Sequence, residues 1–350
     1  MGTVKTLAEE VARGLEQAHP KLRKTVVKKL ALAVGAMIEG QTPNTVELAN
    51  LLPLKTERQD MREQWLRRLL KNPLLVATAV IEPFARNELI RAARNHQTVL
   101  LSLDQTDLGD RMAILMVSVR VGDRALPLAW RAEEGAANIG FEGQKPILEQ
   151  VLAWLPAGVR VLLSADRFYP SAALFTWLVA QGWSYRLRLK GNVLADPGYG
   201  DEITTGALAQ GVTERYLPNV RLFASEVMTH LGILHEAGHP EPWIIAMDCV
   251  PTRAAVLDYA ARWAIEPMFS DFKGRGFELR LSTGTCRSPG TPDSHYGASD
   301  VLVRSHGAGR CIEPPDTARK KLKPRPPPII GASRNFSAVW CPGLLEACAT

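Results

Sequence analysis

The chain has 350 residues, 46% apolar and 22% charged, with a formal net charge of +6. That length allows two or three domains with a sizeable core, and the ordinary apolar fraction excludes a collagen-like or wholly disordered chain. No run of eighteen or more uncharged apolar residues occurs and the first ten residues lack a signal-peptide core, so the expectation is a cytoplasmic protein with no membrane partner.

Residues 1–97 carry a local charge of +6 and read as helical. Apolar residues recur at helical spacing over 6–16 and over 21–38, where Leu22, Val26, Val27, Leu30, Leu32 and Ala33 mark one face. Gly40 to Thr45 breaks that pattern, and Thr45 is a candidate cap for a short helix. A further helix over 58–70 carries Arg62, Arg67 and Arg68 around Trp65. Short helices with a tight turn suit a helix-turn-helix-like module or a plain bundle equally well. In the first case Arg62, Arg67 and Arg68 are the candidate phosphate contacts.

Residues 98–281 carry −4, and their period changes. Residues 98–103 form a compact apolar run that ends at Asp104, which predicts a buried strand. Strands follow over 112–119 and 125–130, joined by a turn at Gly122-Asp123-Arg124. A helix is expected over 144–154, a buried strand over 159–164 running into Asp166, a helix over 171–181 and a strand over 184–189. Arg188, Lys190 and Asn192 at that last strand end could face DNA or be ordinary surface residues. Residues 191–211 are loop-rich, short strands are expected over 212–216, 221–227 and 231–234, and 242–247 is one more strand. His230, His235 and His239 lie close in sequence, but no cysteine pair joins them, so a zinc site is not expected.

Asp104 and Asp166 thus each follow an apolar strand, where open α/β sheets place their ligand crevices. Asp107 competes with Asp104, which is preferred because it ends the strand directly while Asp107 is expected in the following turn. Residues 259–273 read as one helix. At 100° per residue, Tyr259, Arg262, Glu266 and Lys273 fall on one face in a stripe roughly 21 Å long. A carboxylate flanked by two cations and a phenol suits a metal ion beside a phosphate backbone. A solvated face of ion pairs is the alternative, but Trp263, Ile265, Met268, Phe269 and Phe272 crowd the same segment. Pro267 removes a backbone donor next to Glu266 and should kink or bulge the helix.

The spacing Tyr-(2)-Arg-(3)-Glu-(6)-Lys resembles the YREK signature of bacterial DDE transposases of the insertion-sequence-four type. Trp263-Ala-Ile-Glu266, Phe272-Lys273-Gly-Arg275-Gly-Phe277 and Asp166-Arg-Phe-Tyr169 look like that family too. Three strands, then helix, strand, helix and strand is also the order of an RNase H-like core. The expected fold class is therefore α/β: an RNase H-like mixed sheet flanked by helices over 98–190 and 242–281. The resemblance adds an N-terminal helical region that binds transposon ends, over 1–97, and a β-rich insertion over 191–241. It implies Asp104, Asp166 and Glu266 as catalytic and metal-binding residues. Three such carboxylates can hold two Mg²⁺ or Mn²⁺ ions. Tyr259, Arg262 and Lys273 are implied to hold the transposon-end phosphate and flanking DNA. The expected partner is double-stranded DNA, bound by a homodimer. A remnant that binds ends without cutting them is the alternative function, and an RNase H-like nuclease a third.

From Ser282 the apolar periodicity collapses, and Lys323-Pro-Arg-Pro-Pro-Pro328 favours extended chain. Cys286, Cys311, Cys341 and Cys348 lie here without zinc spacing, and cytoplasmic redox conditions argue against disulfides. Residues 282–350, at +4, are expected to be disordered, either as a translated frameshift beginning near Leu281 or as a natural basic tail.

Overall fold

A computed structural model describes residues 2–224, 227–236, 238 and 240–275. The expectations for 282–350 and for His239 lie outside the described residues. Contacts divide the chain into two units, one running to Ile81 and one spanning Glu82–Arg275.

The first unit is helical, as its periodicity predicts. Helices α1 (Gly2–Ala18), α2 (Lys24–Gly40), α3 (Thr45–Leu51) and α4 (Gln59–Leu70) follow one another, and α5 (Ala77–Ala92) contains the division between the units. On α1, Val4, Ala8, Val11 and Leu15 are buried, an i, i+4, i+7, i+11 stripe. It packs on α2 at close range: a Cβ at Gly35 would lie 2.9 Å from the Val4 carbonyl oxygen. The cap of α3 is Asn44, whose side chain accepts from the Val46 amide at 3.0 Å, while Thr45 is the first helical residue.

Arg62 is not a phosphate contact. Its side chain is buried, and its guanidinium donates to the carbonyls of Ala49 at 2.7 Å, Asn50 at 2.9 Å and Thr56 at 2.9 Å, and to that of Leu52. The end of α3 leaves carbonyls without helical partners, and Arg62 supplies the donors. The sequence shows an arginine in a basic cluster but not the helix end it reaches. Arg62→Ala is expected to destabilise this unit by about 3 kcal/mol in denaturant unfolding, because buried carbonyls lose charged donors. A loss under about 0.5 kcal/mol, ordinary for a surface residue, would refute the clamp. Of the other two candidates, Arg67 pairs with Glu63 at 3.2 Å and Arg68 is exposed.

The second unit is mixed α/β, built on one ten-stranded, mostly antiparallel open sheet. Its strands are β1 (Val99–Leu108), β2 (Met112–Val121), β3 (Arg124–Glu134), β4 (Val161–Ala165), β5 (Ser184–Arg188), β6 (Leu194–Asp196), β7 (Ile203–Thr204), β8 (Glu214–Leu222), β9 (Val227–Leu234) and β10 (Trp243–Met247). Helices α6 (Phe141–Trp154), α7 (Ala172–Gln181), α8 (Thr205–Ala209), α9 (Arg253–Leu257) and α10 (Ile265–Ser270) complete it. The spatial order is β3-β2-β1-β4-β5-β10-β9-β8-β6-β7. The pairs β1–β4 and β4–β5 are parallel and all other pairs are antiparallel. Every residue of β4 is buried, as its unbroken apolar run requires of a central strand.

Two expectations change here. Strand β1 does not stop at residue 103. It pairs with β2 from Leu101↔Val119 to Leu108↔Met112, so Asp104 and Asp107 both lie within it. The apolar run marks only the part of β1 that also pairs with β4, and beyond it the hairpin with β2 alone carries the strand. The segment 191–241 also differs: β9 pairs with β10 from Trp243↔Leu234 to Met247↔His230, so its strands extend the one sheet. Instead of three short strands it holds two long ones, β8 and β9. Pro218-Asn219, which breaks the sequence pattern, sits where the β8–β9 register shifts between Leu217 and Val220. The expected strand over 221–227 is interrupted because Phe223 and Ala224 adopt positive φ of 53° and 54°.

No helix among the described residues is long and apolar enough to cross a membrane.

Candidate functional site

Register brings two of the three carboxylates together. Parallel pairing of β1 with β4 ends at Leu103↔Ala165. Asp104 continues β1 and Asp166 directly follows β4, so they occupy neighbouring positions at the same edge. Asp104 Oδ1 accepts from the Gln105 amide at 2.9 Å and from Tyr169 Oη at 3.4 Å. Tyr169 is brought back by a turn after Asp166, its amide donating to the Asp166 carbonyl at 3.2 Å. Asp107 is exposed and accepts from Gln105 Nε2 at 3.0 Å.

The segment bearing Tyr259, Arg262, Glu266 and Lys273 is not one regular α-helix. After α9 it runs as a 3-10 helix over Asp258–Ala264, as α10 over Ile265–Ser270 and as a π-helical turn over Asp271–Arg275. Three residues per turn eclipse Tyr259 and Arg262, and Arg262 Nε donates to Tyr259 Oη at 3.0 Å. The return to α geometry sets Arg262 and Glu266 one turn apart, with Nη2 donating to Glu266 Oε1 at 2.9 Å. Pro267 falls in the first turn of α10, where a missing N–H costs little, and the change of helix type precedes it by two residues. Lys273 is half-buried in the π-helical turn, which rotates it away from an ideal α stripe. Arg124 of β3 ties down the same turn through Asp271 at 2.8 Å.

Arg262 is the hub. Its side chain is 7% exposed, and Nη1 reaches Asp104 Oδ2 at 2.5 Å. Tyr259 Oη donates to Asp166 Oδ1 at 3.2 Å. Asp104, Asp166 and Glu266, far apart in the chain, are thereby joined through one arginine and one phenol. Tyr259 is itself fixed by an edge-to-face contact with Trp243, whose ring is packed edge-on against Trp263 (centroids 5.3 Å and 5.4 Å). Trp263 is part-exposed at 43%, not the core residue its apolar neighbours suggested.

Burial pushes the Asp104 carboxyl up to about 6, and Asp166 and Glu266 add to the rise, while Arg262 and the Gln105 amide oppose it. Burial also raises the phenols of Tyr169 and Tyr259, with help from the nearby carboxylates. Both phenols therefore stay protonated as donors near neutrality. For Arg262, burial acts downward, but the Tyr259 phenol and the three carboxylates outweigh it and raise its pKa, keeping it charged. A carboxyl raised in the folded state stabilises the fold while protonated, and that contribution is lost as pH climbs from the unfolded value to the folded one. The stability of the wild type relative to Asp104→Asn should fall by roughly 2–4 kcal/mol between about pH 4 and about pH 6. Parallel unfolding profiles for the two proteins would rule this out.

No protein-family model matches the chain, and no curated protein matches it. What the site can do is therefore read from its own residues.

Beside Asp166 lies a second cluster. Arg188 Nη1 is 3.8 Å from Asp166 Oδ1, and Arg188 Nη2 donates to Glu241 Oε2 at 3.3 Å. Arg167 Nη1 donates to the same Glu241 oxygen at 2.6 Å. Lys190 Nζ sits 4.7 Å from the centroid of the Phe168 ring, and Asn192 is exposed. Tyr169, Arg167 and Glu241 are the residues that sequence reasoning did not single out. The first two lie in the Asp166-Arg-Phe-Tyr169 box and could have been found there, whereas nothing local to Glu241 points to the site. His230 has a structural role, its Nδ1 accepting from the Asn219 amide at 3.1 Å beside the irregularity in β8. Among the described residues no group of three or more His, Cys, Asp or Glu is drawn together closely enough to hold a metal, and Arg262 stands between Asp104 and Glu266.

Proposed function

We propose that this chain is a DDE-type DNA transposase of the insertion-sequence-four kind, cutting and joining phosphodiesters at the edge of an RNase H-like sheet. The observation that carries this reading is the joining of Asp104, Asp166 and Glu266 through Arg262 and Tyr259. The partial order β3-β2-β1-β4-β5, with β1, β4 and β5 parallel, supports the fold assignment.

Three carboxylates are the donor chemistry of a hard divalent cation, and Asp104, raised by burial and by its acidic neighbours, would gain from added positive charge; a cation shared by all three would take the place that Arg262 now holds between Asp104 and Glu266. Two Mg²⁺ or Mn²⁺ ions held by Asp104, Asp166 and Glu266 would supply activation of the attacking hydroxyl and stabilisation of the leaving 3′-oxygen. The chain's own residues do the rest. Tyr169 and Tyr259 orient the two aspartates. Arg262 neutralises Asp104 and Glu266 and presents a fork suited to a phosphate, while Lys273 offers a point charge. Arg188 and Lys190 extend the cationic edge, and Arg67 and Arg68 on α4 remain phosphate contacts for the transposon ends. The partner is double-stranded DNA, with two copies of the chain pairing two ends.

The test uses the genomic DNA on either side of the coding sequence, where terminal inverted repeats are expected. Mg²⁺-dependent cleavage at the repeat ends and joining to a target plasmid are expected. Binding without cleavage in either Mg²⁺ or Mn²⁺ would reject the enzyme and leave an end-binding protein.

A further inference from the structure

We infer that Arg167 and Arg188 form a phosphodiester subsite beside Asp166, and that Glu241 occupies it as a built-in competitor. The inference rests on the chain acting on nucleic acid, and it names a binding device of that same site.

Neighbouring parallel strands create the subsite. Arg167 stands two residues beyond the end of β4, Arg188 is the last residue of β5, and the β4–β5 register runs to Ala165↔Leu187. Both guanidinium groups therefore emerge at the sheet edge that carries Asp166. Two guanidinium groups this close repel each other unless an anion lies between them. Here both donate to one oxygen, Glu241 Oε2, at 2.6 Å and 3.3 Å. The arrangement is an anion site with an occupant supplied by the chain.

Glu241 is poorly suited to be a permanent occupant. Its side chain is 56% exposed, and it lies ahead of β10, outside the strand, so it can swing away without breaking a β10 ladder bond. Ion pairs of that exposure contribute little and are screened by salt. A phosphodiester has two non-bridging oxygens and accepts two guanidinium forks better than a single carboxylate oxygen does. Arg188 also reaches Asp166 Oδ1 at 3.8 Å, which places the bound anion next to a proposed catalytic carboxylate. Lys190, over the Phe168 ring, adds a third cation at the same edge. The ligand is then a backbone phosphate adjoining the one that is cut, and Glu241 raises the threshold for any polyanion to enter.

The experiment measures binding of a labelled duplex to the full chain in EDTA over a salt series, for the wild type and four variants. Glu241→Gln should tighten binding by roughly 5-fold and steepen the salt dependence by about one phosphate contact. Glu202→Gln, an equal charge change at an exposed residue ahead of β7, should leave affinity within about 2-fold. In Arg167→Gln/Arg188→Gln, and in that double variant combined with Glu241→Gln, the two affinities should agree, because the two freed arginines are the source of the gain. A gain for Glu241→Gln no larger than that for Glu202→Gln overturns the inference, as does a gain that survives in the Arg167→Gln/Arg188→Gln background. If the wild type binds and cleaves DNA while either result holds, the competitor falls alone. A wild type without affinity for any duplex overturns the functional reading as well.

Discussion

Replacing Asp104 or Asp166 by Asn, or Glu266 by Gln, is expected to lower Mg²⁺-dependent DNA cleavage at least roughly 100-fold. Each isosteric change removes one negative charge from a site that has to hold divalent cations against a phosphate. Duplex affinity should be kept or rise, because the site becomes less acidic. The three variants separate structural from catalytic loss. Glu266 is 58% exposed, so Glu266→Gln should melt like the wild type and lose cleavage alone. Asp104 is largely buried, its side chain 15% exposed against Arg262, so Asp104→Asn also changes stability, in the pH-dependent manner derived above. Cleavage measured on a fixed duplex across the three variants is the check. Wild-type cleavage by any one of them removes that residue from the active site.

Arg262→Met should be the most damaging single substitution at the site, costing about 3–5 kcal/mol of stability near neutral pH. The size of the effect comes from what is left behind. Without the guanidinium, Asp104 keeps its burial and its acidic neighbours Asp166 and Glu266 but loses its counterion. Its carboxyl should then titrate above the present value of about 6, since the opposing influence of Arg262 is gone. Arg262→Lys should recover only part of the loss. An ammonium is a point charge and cannot meet Tyr259 Oη, Asp104 Oδ2 and Glu266 Oε1 in the geometry of a planar fork. Denaturant unfolding at pH 5 and pH 8, with carboxyl titration by NMR, distinguishes the cases. Loss of stability at pH 8 but little at pH 5 is expected, because a protonated Asp104 needs no counterion. Equal loss at both would mean that Arg262 acts through packing.

The residue types at this site were legible because local spacing reports local geometry. Tyr259 and Arg262, three apart, share a face under α or 3-10 winding, and Arg262 and Glu266, four apart, meet across the return to α geometry, so their common face survived the departure from a regular helix. The winding itself was not legible, since a few residues of 3-10 or π geometry differ from α by less than tertiary packing imposes. Asp104 was found for a reason that proved incomplete. It marks the end of parallel pairing with β4, not the end of β1, and only the β1–β2 register distinguishes these.

By itself the sequence determined the alternation of helical and strand periods, the burial of β4 and of the first half of β1, and the candidates Asp104, Asp166, Arg262 and Glu266. Those follow from side-chain periodicity and apolar runs, which act over a few residues. Tertiary structure alone decided that Arg62 clamps the end of α3, that β6 to β9 extend the one sheet, and that Glu241 meets Arg167 and Arg188. The physical reason is shared by all three. An arginine or glutamate has the same composition whether it faces water, a helix end or another charge. Its partner is set by which backbone lies within reach once the chain has closed, 53 residues away in the case of Arg188 and Glu241.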